Sequence, residues 1–389
     1  MRVGAIGAFL PYVSASAGYS RIPTESFSVA GQTFSSPSDN YTLGTSASLP
    51  LFAGFRNVAG LDRSDASRSA ARARFDRASE GIGLAAAQAF LDVLKAAALL
   101  DVAQKNVERS REQLERVSVL LEVGSVPPVD LYRQRGQLGS DRLEALNARD
   151  ATENARNTLN IALGLSVGDR RPLVAIDVDR LRLDTTAPAE FDELIARALR
   201  QRRDLRAADE DVRGAEAGLR VSRSGYWPSA DLTGNYNWNG SEPPGGLDDL
   251  RQGDSYSVGV SMSVPIFDRL ATRSSVQRSE AELVYRRAFR RNLERELMRE
   301  VASAHLAVEN ARERVELSRA NLTAAEEELR LAEERYTVGA GTLLERNVAS
   351  LSWRSAETNR VAALYDLLYA RIALSATLGD PIDTKGGND

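Results

Sequence analysis

The stretch Ser255–Phe267, SYSVGVSMSVPIF, sets Tyr256, Val258, Val260, Met262 and Val264 on one parity and Ser257, Gly259, Ser261 and Ser263 on the other, and it meets a proline at Pro265. Such alternation marks a β-strand whose two faces meet different surroundings. A half-buried sheet in a soluble protein produces the same pattern, so the neighbourhood has to decide between them. Three more segments share it. Residues 11–20 set Val13, Ala15, Ala17 and Tyr19 against Ser14, Ser16, Gly18 and Ser20, and residues 41–51 set Leu43, Ala47 and Leu49 against Gly44, Ser46 and Ser48. Residues 228–238 set Ala230, Leu232, Tyr236 and Trp238 against Asp231, Thr233, Asn235 and Asn237.

The four segments fall into two pairs because the chain repeats itself. SLPLFAGF at Pro50 returns as SVPIFDRL at Pro265, and the same interval carries EVGSVPPVDL at Gly124 to TVGAGTLLER at Gly339 and IALGL at Gly164 to SATLGD at Gly379. Upstream, FLPYVSASAGYS at Pro11 returns as YWPSADLTGNYN at Pro228, an interval longer by two because the intervening loops differ in length. The first repeat covers residues 1–164, with strands 11–20 and 41–51, a long helix 56–122 and a return helix 127–163. The second covers 191–379, with a helix 191–224, strands 228–238 and 256–266, a long helix 270–337 and a return helix 342–378. Residues 165–190, rich in proline, aspartate and short β-branched runs, form an irregular excursion between the repeats, and 380–389 a tail. Repeat one has no counterpart of helix 191–224, so that helix and any signal peptide are expected upstream of Met1.

Each long helix is predicted to rise about 100 Å and its return helix about 55 Å. The apolar period is seven: Val301, Val308, Val315, Leu322, Leu329 and Tyr336 form one seam, and Ala304, Ala311, Ser318, Ala325 and Ala332 a second. Ala86, Val93, Leu100, Val107, Leu114 and Leu121 repeat the first, and Ala89, Ala96, Ala103, Ser110 and Val117 the second. A sustained heptad implies left-handed supercoiling, and small seam residues let helices approach closely. Gly124 and Gly339 are placed to end the long helices as left-handed caps. Pro127 and Pro128 suit the first turn of one return helix, and Thr342 with Glu345 has capping-box spacing at the other.

Composition narrows the function. The net charge is −4, with Lys+Arg at 50 and Asp+Glu at 54 spread along the chain, so no basic face for nucleic acid stands out. The absence of cysteine excludes disulfides and thiolate chemistry. His305, the one histidine, lies inside a long helix between Ala304 and Leu306, and no nucleophile elbow, phosphate loop or metal-ligand cluster accompanies it. An enzyme is not expected, nor a cofactor or metal. No run of about 18 apolar residues suggests a membrane-spanning helix, which leaves a β-barrel as the route across a bilayer. Because the helices commit their seams to one another, little apolar surface is left to cover the sheet, and the polar parity of the strands suits a water-filled lumen. Four strands fall short of the roughly eight that close a barrel, so several copies would have to pool them.

With the tandem repeat, the prolines Pro50 and Pro265 between strand pair and helix, and the VG tips at Gly124 and Gly339, the chain resembles the TolC-like outer-membrane efflux protein family. The resemblance covers the chain apart from the first helix. It implies a mainly α fold with a small β part. Long antiparallel coiled-coil helices of a homotrimer would form an α-barrel across the periplasm, and four strands per protomer a 12-stranded barrel in the outer membrane of a Gram-negative bacterium. It further implies an exit duct of a tripartite efflux or type I secretion system, docked through a periplasmic adaptor to an inner-membrane RND or ABC transporter. On this reading Tyr256, Val258, Val260, Met262 and Val264 face lipid, and Ser257, Gly259, Ser261 and Ser263 the lumen. The helix-tip turns Gly124, Ser125, Val126, Gly339, Ala340 and Gly341 would meet the adaptor. Glu345, Asp130 and Tyr336 match the family's pore constriction, although capping of a helix N-terminus accounts equally well for Glu345, and a last core position accounts for Tyr336. The arginine that locks the closed tip in some relatives is Gly341 here. The competing reading, from the residues alone, is a periplasmic or soluble coiled-coil scaffold or adaptor.

Overall fold

The computed structural model describes residues 2–21, 27–29, 32–34, 39–173, 190–246, 249–251 and 254–380. Its elements, in chain order, are α1 (Arg2–Gly7), β1 (Tyr12–Arg21), β2 (Phe27–Val29), β3 (Gln32–Phe34), β4 (Asp39–Ala53), α2 (Arg56–Glu122) and α3 (Pro128–Ala162). They are followed by α4 (Phe191–Gln201), α5 (Arg203–Arg223), β5 (Ser229–Gly240), β6 (Asp254–Ser263), α6 (Ala271–Thr337) and α7 (Leu343–Leu378). The chain divides into two compact units, Met1–Arg74 with Asp204–Asn292, and Phe75–Arg203 with Leu293–Asp389. Each unit draws on both repeats.

The first unit holds an antiparallel four-stranded sheet in the order β1-β4-β5-β6. Its register keeps the parities together: Val13 pairs with Ala47, Ala47 with Gly234 and Gly234 with Val258, while Ser46 pairs with Ser14 and Asn235, and Asn235 with Ser257. One face is therefore apolar across all four strands and the other polar. On the polar face Ser14 and Ser46 share a 2.8 Å hydrogen bond. The apolar face is open at its edge strand, where Tyr256 is 82% exposed and Val258 78%. Trp238 differs from its neighbours on that face. It is buried against Gly240, and nearby the Tyr236 hydroxyl donates to the Leu250 carbonyl at 2.9 Å.

Below the sheet, α5 is tied to α2 and α6 by short side chains and ion pairs. Arg220 meets Asp62 at 2.7 Å, Arg287 meets Glu216 at 2.7 Å and Arg290 meets Asp209 at 3.0 Å. Ser222 and Ser279 share a hydrogen bond of 2.7 Å. At the strand-to-helix junction Phe52, Phe55 and Trp227 stack edge to face, with ring centroids 5.2 and 5.7 Å apart.

The second unit is helical. Its largest core cluster joins Leu91, Leu94 and Val102 of α2, Val308, Ala311 and Val315 of α6, and Val361, Leu364 and Leu367 of α7. Val301, Val308, Val315, Ala311, Ser318 and Ala325 of the expected seams are buried on α6, as are Val93, Ala89, Ala103, Ser110 and Val117 on α2. The seam carries the packing because its side chains return to one helix face every seven residues.

Three expectations need correction. Helix 191–224 is interrupted at Arg202, whose backbone leaves the helical region at φ −59 and ψ 123. The cause is tertiary: Arg202 is buried, donates to the Thr377 carbonyl at 3.2 Å and pairs with Glu300 at 3.1 Å. The strand expected over 256–266 ends at Ser263, so Val264 lies outside β6; the partner strand starts at Ser229, opposite Ser263, and offers nothing further to pair with. Finally, α2 and α7 are by length and composition apolar enough to cross a membrane. In α2 the alanine-rich stretch 82–100, IGLAAAQAFLDVLKAAALL, belongs to the coiled-coil packing, and its charges are engaged: Lys95 pairs with Asp366 at 2.8 Å and Asp92 accepts from the Tyr369 hydroxyl. The small hairpin β2–β3 and the helix α1 were not anticipated. Most of the 165–190 excursion and the tail beyond residue 380 lie outside the described residues.

Candidate functional site at the helix tips

Both long helices end in the same backbone device. Gly124 adopts φ 74 and Gly339 φ 75, the left-handed conformation that glycine enters without a Cβ penalty. In the first turn the Ser125 amide donates to Leu120 at 2.8 Å and the Gly124 amide to Leu121 at 3.0 Å. In the second the Ala340 amide donates to Arg335 at 2.8 Å and the Gly339 amide to Tyr336 at 3.2 Å. These paired bonds satisfy carbonyls that the helix end would otherwise leave open.

The return helices then start differently. Helix α7 has a complete capping box: the Glu345 amide donates to the Thr342 hydroxyl at 3.2 Å, and the Thr342 amide donates to the Glu345 carboxylate at 3.3 Å. Helix α3 follows Pro127, which has no side-chain cap, and Pro128 fills its first turn. Asp130 and Glu345 occupy equivalent positions of the two repeats, yet the Asp130 side chain is 12% exposed and that of Glu345 54%. Glu345 is thus a capping residue that also presents charge to solvent. Asp130 is turned inward.

The turns line one cleft of about 790 Å³, with Ser125, Val126 and Asp130 from one hairpin and Tyr336, Gly341 and Arg346 from the other. The Tyr336 hydroxyl is buried without a hydrogen-bond partner. Burial, and after it the Asp130 charge, push the Tyr336 phenol above its ordinary pKa. Tyr336 and Asp130 line the same cleft. Arg346, which sequence reasoning missed, is buried and bonds Glu333 at 2.8 Å. Gly341 leaves little room for a larger residue, since a Cβ there would lie 3.1 Å from that of Arg335 and 3.2 Å from the Glu345 carboxylate. The cation next to the turn is instead Arg335, which donates to the Ala340 carbonyl at 3.2 Å and lies 3.9 Å from Glu345.

Deeper in the bundle a second polar group joins three helices. Arg354 of α7 bonds Asp141 of α3 at 2.5 Å and Ser110 of α2 at 3.1 Å, and Ser110 donates to Asp141. Gln137 adds a 2.9 Å bond to the same carboxylate. Asp141 and Ser110 are almost fully buried. Arg354 on one helix and Asp141 on another carry no local motif, so only the folded bundle reveals the group.

The first unit thus presents an amphipathic four-stranded sheet with β1 and β6 at its edges, and the second unit two helical hairpins whose tips line one polar cleft. Comparison with known proteins gives the family. The model of the outer membrane efflux protein family matches residues 5–165 and again 194–380, once in each repeat, and the chain belongs to that family. It is accordingly an outer-membrane protein. It is 26% identical over 353 residues to the pyoverdine export outer membrane protein OpmQ of Pseudomonas putida, covering 88% of this chain and 71% of that one. It is 23% identical over 302 residues to outer membrane protein TolC of Escherichia coli, covering 75% of this chain and 60% of TolC's length. The solved open-state MtrE outer membrane channel of Neisseria gonorrhoeae superposes with a TM-score of 0.81 at 21% identity, over 98% of this chain and 83% of that one, so the fold is shared.

Proposed function

We propose that the chain is one protomer of a homotrimeric exit duct that passively conducts substrates out of the cell. The sheet carries this reading. It has one apolar, exposed face, one face of serine, glycine, threonine and asparagine, and free edges at β1 and β6. An open sheet leaves backbone groups unpaired, which a bilayer does not tolerate, and three copies supply twelve strands to close it. Tyr256, Val258, Val260 and Met262 then face lipid, and Ser257, Gly259, Ser261 and Ser263 the lumen. The helical unit continues the conduit through the periplasm. Its tips, Gly124–Val126 and Gly339–Gly341, meet a periplasmic adaptor, itself coupled to an inner-membrane RND or ABC transporter in a tripartite efflux or type I secretion system.

In this assembly Glu345 offers an exposed ring of carboxylates at the constriction, and Asp130 and Tyr336, which line the cleft between the two hairpin tips, belong to the gate. Reconstitution in planar bilayers tests both roles. Glu345→Ala is expected to lower cation selectivity, and Asp130→Ala to raise conductance. Unchanged behaviour in both variants removes them from the gate. Resistance of the protein to carbonate extraction, with release by detergent, separates the integral channel from a coiled-coil scaffold.

A further inference from the structure

The chain contains a template for the contact between copies. In the hairpin β1/β4, Tyr12 pairs with Ser48 and Ala17 with Leu43. The sequence repeat carries the first strand forward by the interval from Pro11 to Pro228 and the second by the interval from Pro50 to Pro265, which gives Ser229 with Ser263 and Gly234 with Val258. These are the pairs observed in β5/β6. The repeat is therefore structural down to single register positions. Between the repeats, β4 pairs with β5. The matching contact, β6 with β1, cannot form within one chain because those strands are the opposite edges of the sheet. A second copy of the chain supplies it.

The β4/β5 register carries over with the same intervals. Ala47–Gly234 becomes Met262–Ala17, Leu49–Leu232 becomes Val264–Ala15, and Phe52–Ala230, beyond the irregularity at Pro50, becomes Phe267–Val13. All three place apolar residues on one face, which a shift of one residue would not do. Strand length points the same way. β4 runs 15 residues, to Ala53, whereas β6 runs 10 and stops at Ser263. The five positions it lacks are those that β5 holds in β4. Ile266 and Phe267 among them are 97% and 77% exposed. The turn beyond is already formed: Arg269 and Leu270 adopt φ 54 and 65, as Gly54 and Phe55 adopt 59 and 66.

We infer that β1 of a second copy docks on β6 with Ala17 opposite Met262 and Ala15 opposite Val264, extending β6 through Phe267. The inference rests on the pooled-barrel reading and adds the register to it. One position sets a difference between the two contacts. At Gly54 a Cβ would lie 2.6 Å from the Ser224 carbonyl oxygen and 2.8 Å from the Trp227 Cβ. Its counterpart Arg269 has a Cβ, so the same close backbone approach is not open to it.

These 389 residues contain no cysteine, which makes the test direct. In the full chain, Met262→Cys with Ala17→Cys places thiols on Cα atoms about 4.5–5.5 Å apart, inside the range of about 4.4–6.8 Å that a disulfide spans. Oxidation is expected to give covalent dimers and trimers that reduction dissolves. Met262→Cys with Val13→Cys, or with Arg21→Cys, displaces the pair by about 13 Å along the strand and is expected to stay uncrosslinked. Stronger crosslinking by a displaced pair overturns the register and leaves the edge contact standing. No crosslinking by any of the pairs in a chain that light scattering shows to be trimeric overturns the edge contact. A chain that is monomeric in detergent sinks the trimeric reading itself.

Discussion

The two helical hairpins share a backbone and differ in what holds them. Hairpin two, α6 with α7, is capped by Thr342 and Glu345 and has alanine at Ala325 and Ala356. At the equivalent positions hairpin one, α2 with α3, has Pro127, the inward Asp130, and the buried pair Ser110 and Asp141. Proline in place of the capping threonine removes the backbone N–H that holds the carboxylate at the start of α7, and Asp130 instead lies 3.6 Å from Arg133. One duplicated scaffold thus has a self-sufficient tip and a tip that depends on its neighbour. Arg354, at the position of Gly139 in the first repeat, is the neighbour's contribution.

The sharpest way to break this comparison is Arg354→Ala. It strands the Asp141 carboxylate in the bundle, and the expected loss is about 3–5 kcal/mol in denaturant unfolding of the helical unit. Replacing both residues together, Arg354→Leu with Asp141→Leu, is expected to restore most of that loss. A single variant as stable as the parent would show that hairpin one does not rely on α7. A smaller effect belongs to the self-sufficient tip: Thr342→Ala should cost about 1 kcal/mol through the lost cap, read in the same unfolding experiment.

The smallest effect concerns Glu357 on α7, half-buried, with one carboxylate oxygen that has no partner. Burial, only partly offset by Arg109, Lys105 and Arg360, raises its pKa above the usual glutamate value. Folding therefore favours its protonated form. The resulting stability is present below the ordinary glutamate pKa of about 4.3 and is lost as pH rises through the raised folded value. Glu357→Gln is expected to increase the melting temperature at neutral pH and to leave it unchanged in acid. A uniform shift across pH would assign the effect to packing instead.

Much of this was legible in the sequence where the signal was local. The ends of both long helices followed from Gly124, Gly339 and the prolines, and the sheet faces from parity alone. The break at Arg202 was not legible, because a guanidinium reaching Thr377 and Glu300 leaves no mark on helix periodicity. The early end of β6 depends on a missing partner rather than on its own residues. At the tips, Glu345 and Asp130 were found by position, but only the folded chain distinguishes a cap from a buried charge. Arg346 and Arg354 gave no signal, since an arginine on a charged helix looks solvated until its partners are known.

The long helices α2 and α6 are both 67 residues. Each is a ruler laid from a strand junction to a tip, and the two readings agree. Inserting one heptad into a single copy would displace that tip by about 10 Å from its fellow and pull Asp130 away from Tyr336, although every seam residue would still find its place. Lengths of the two halves are therefore bound to change together or not at all, a constraint on descent that neither helix imposes alone.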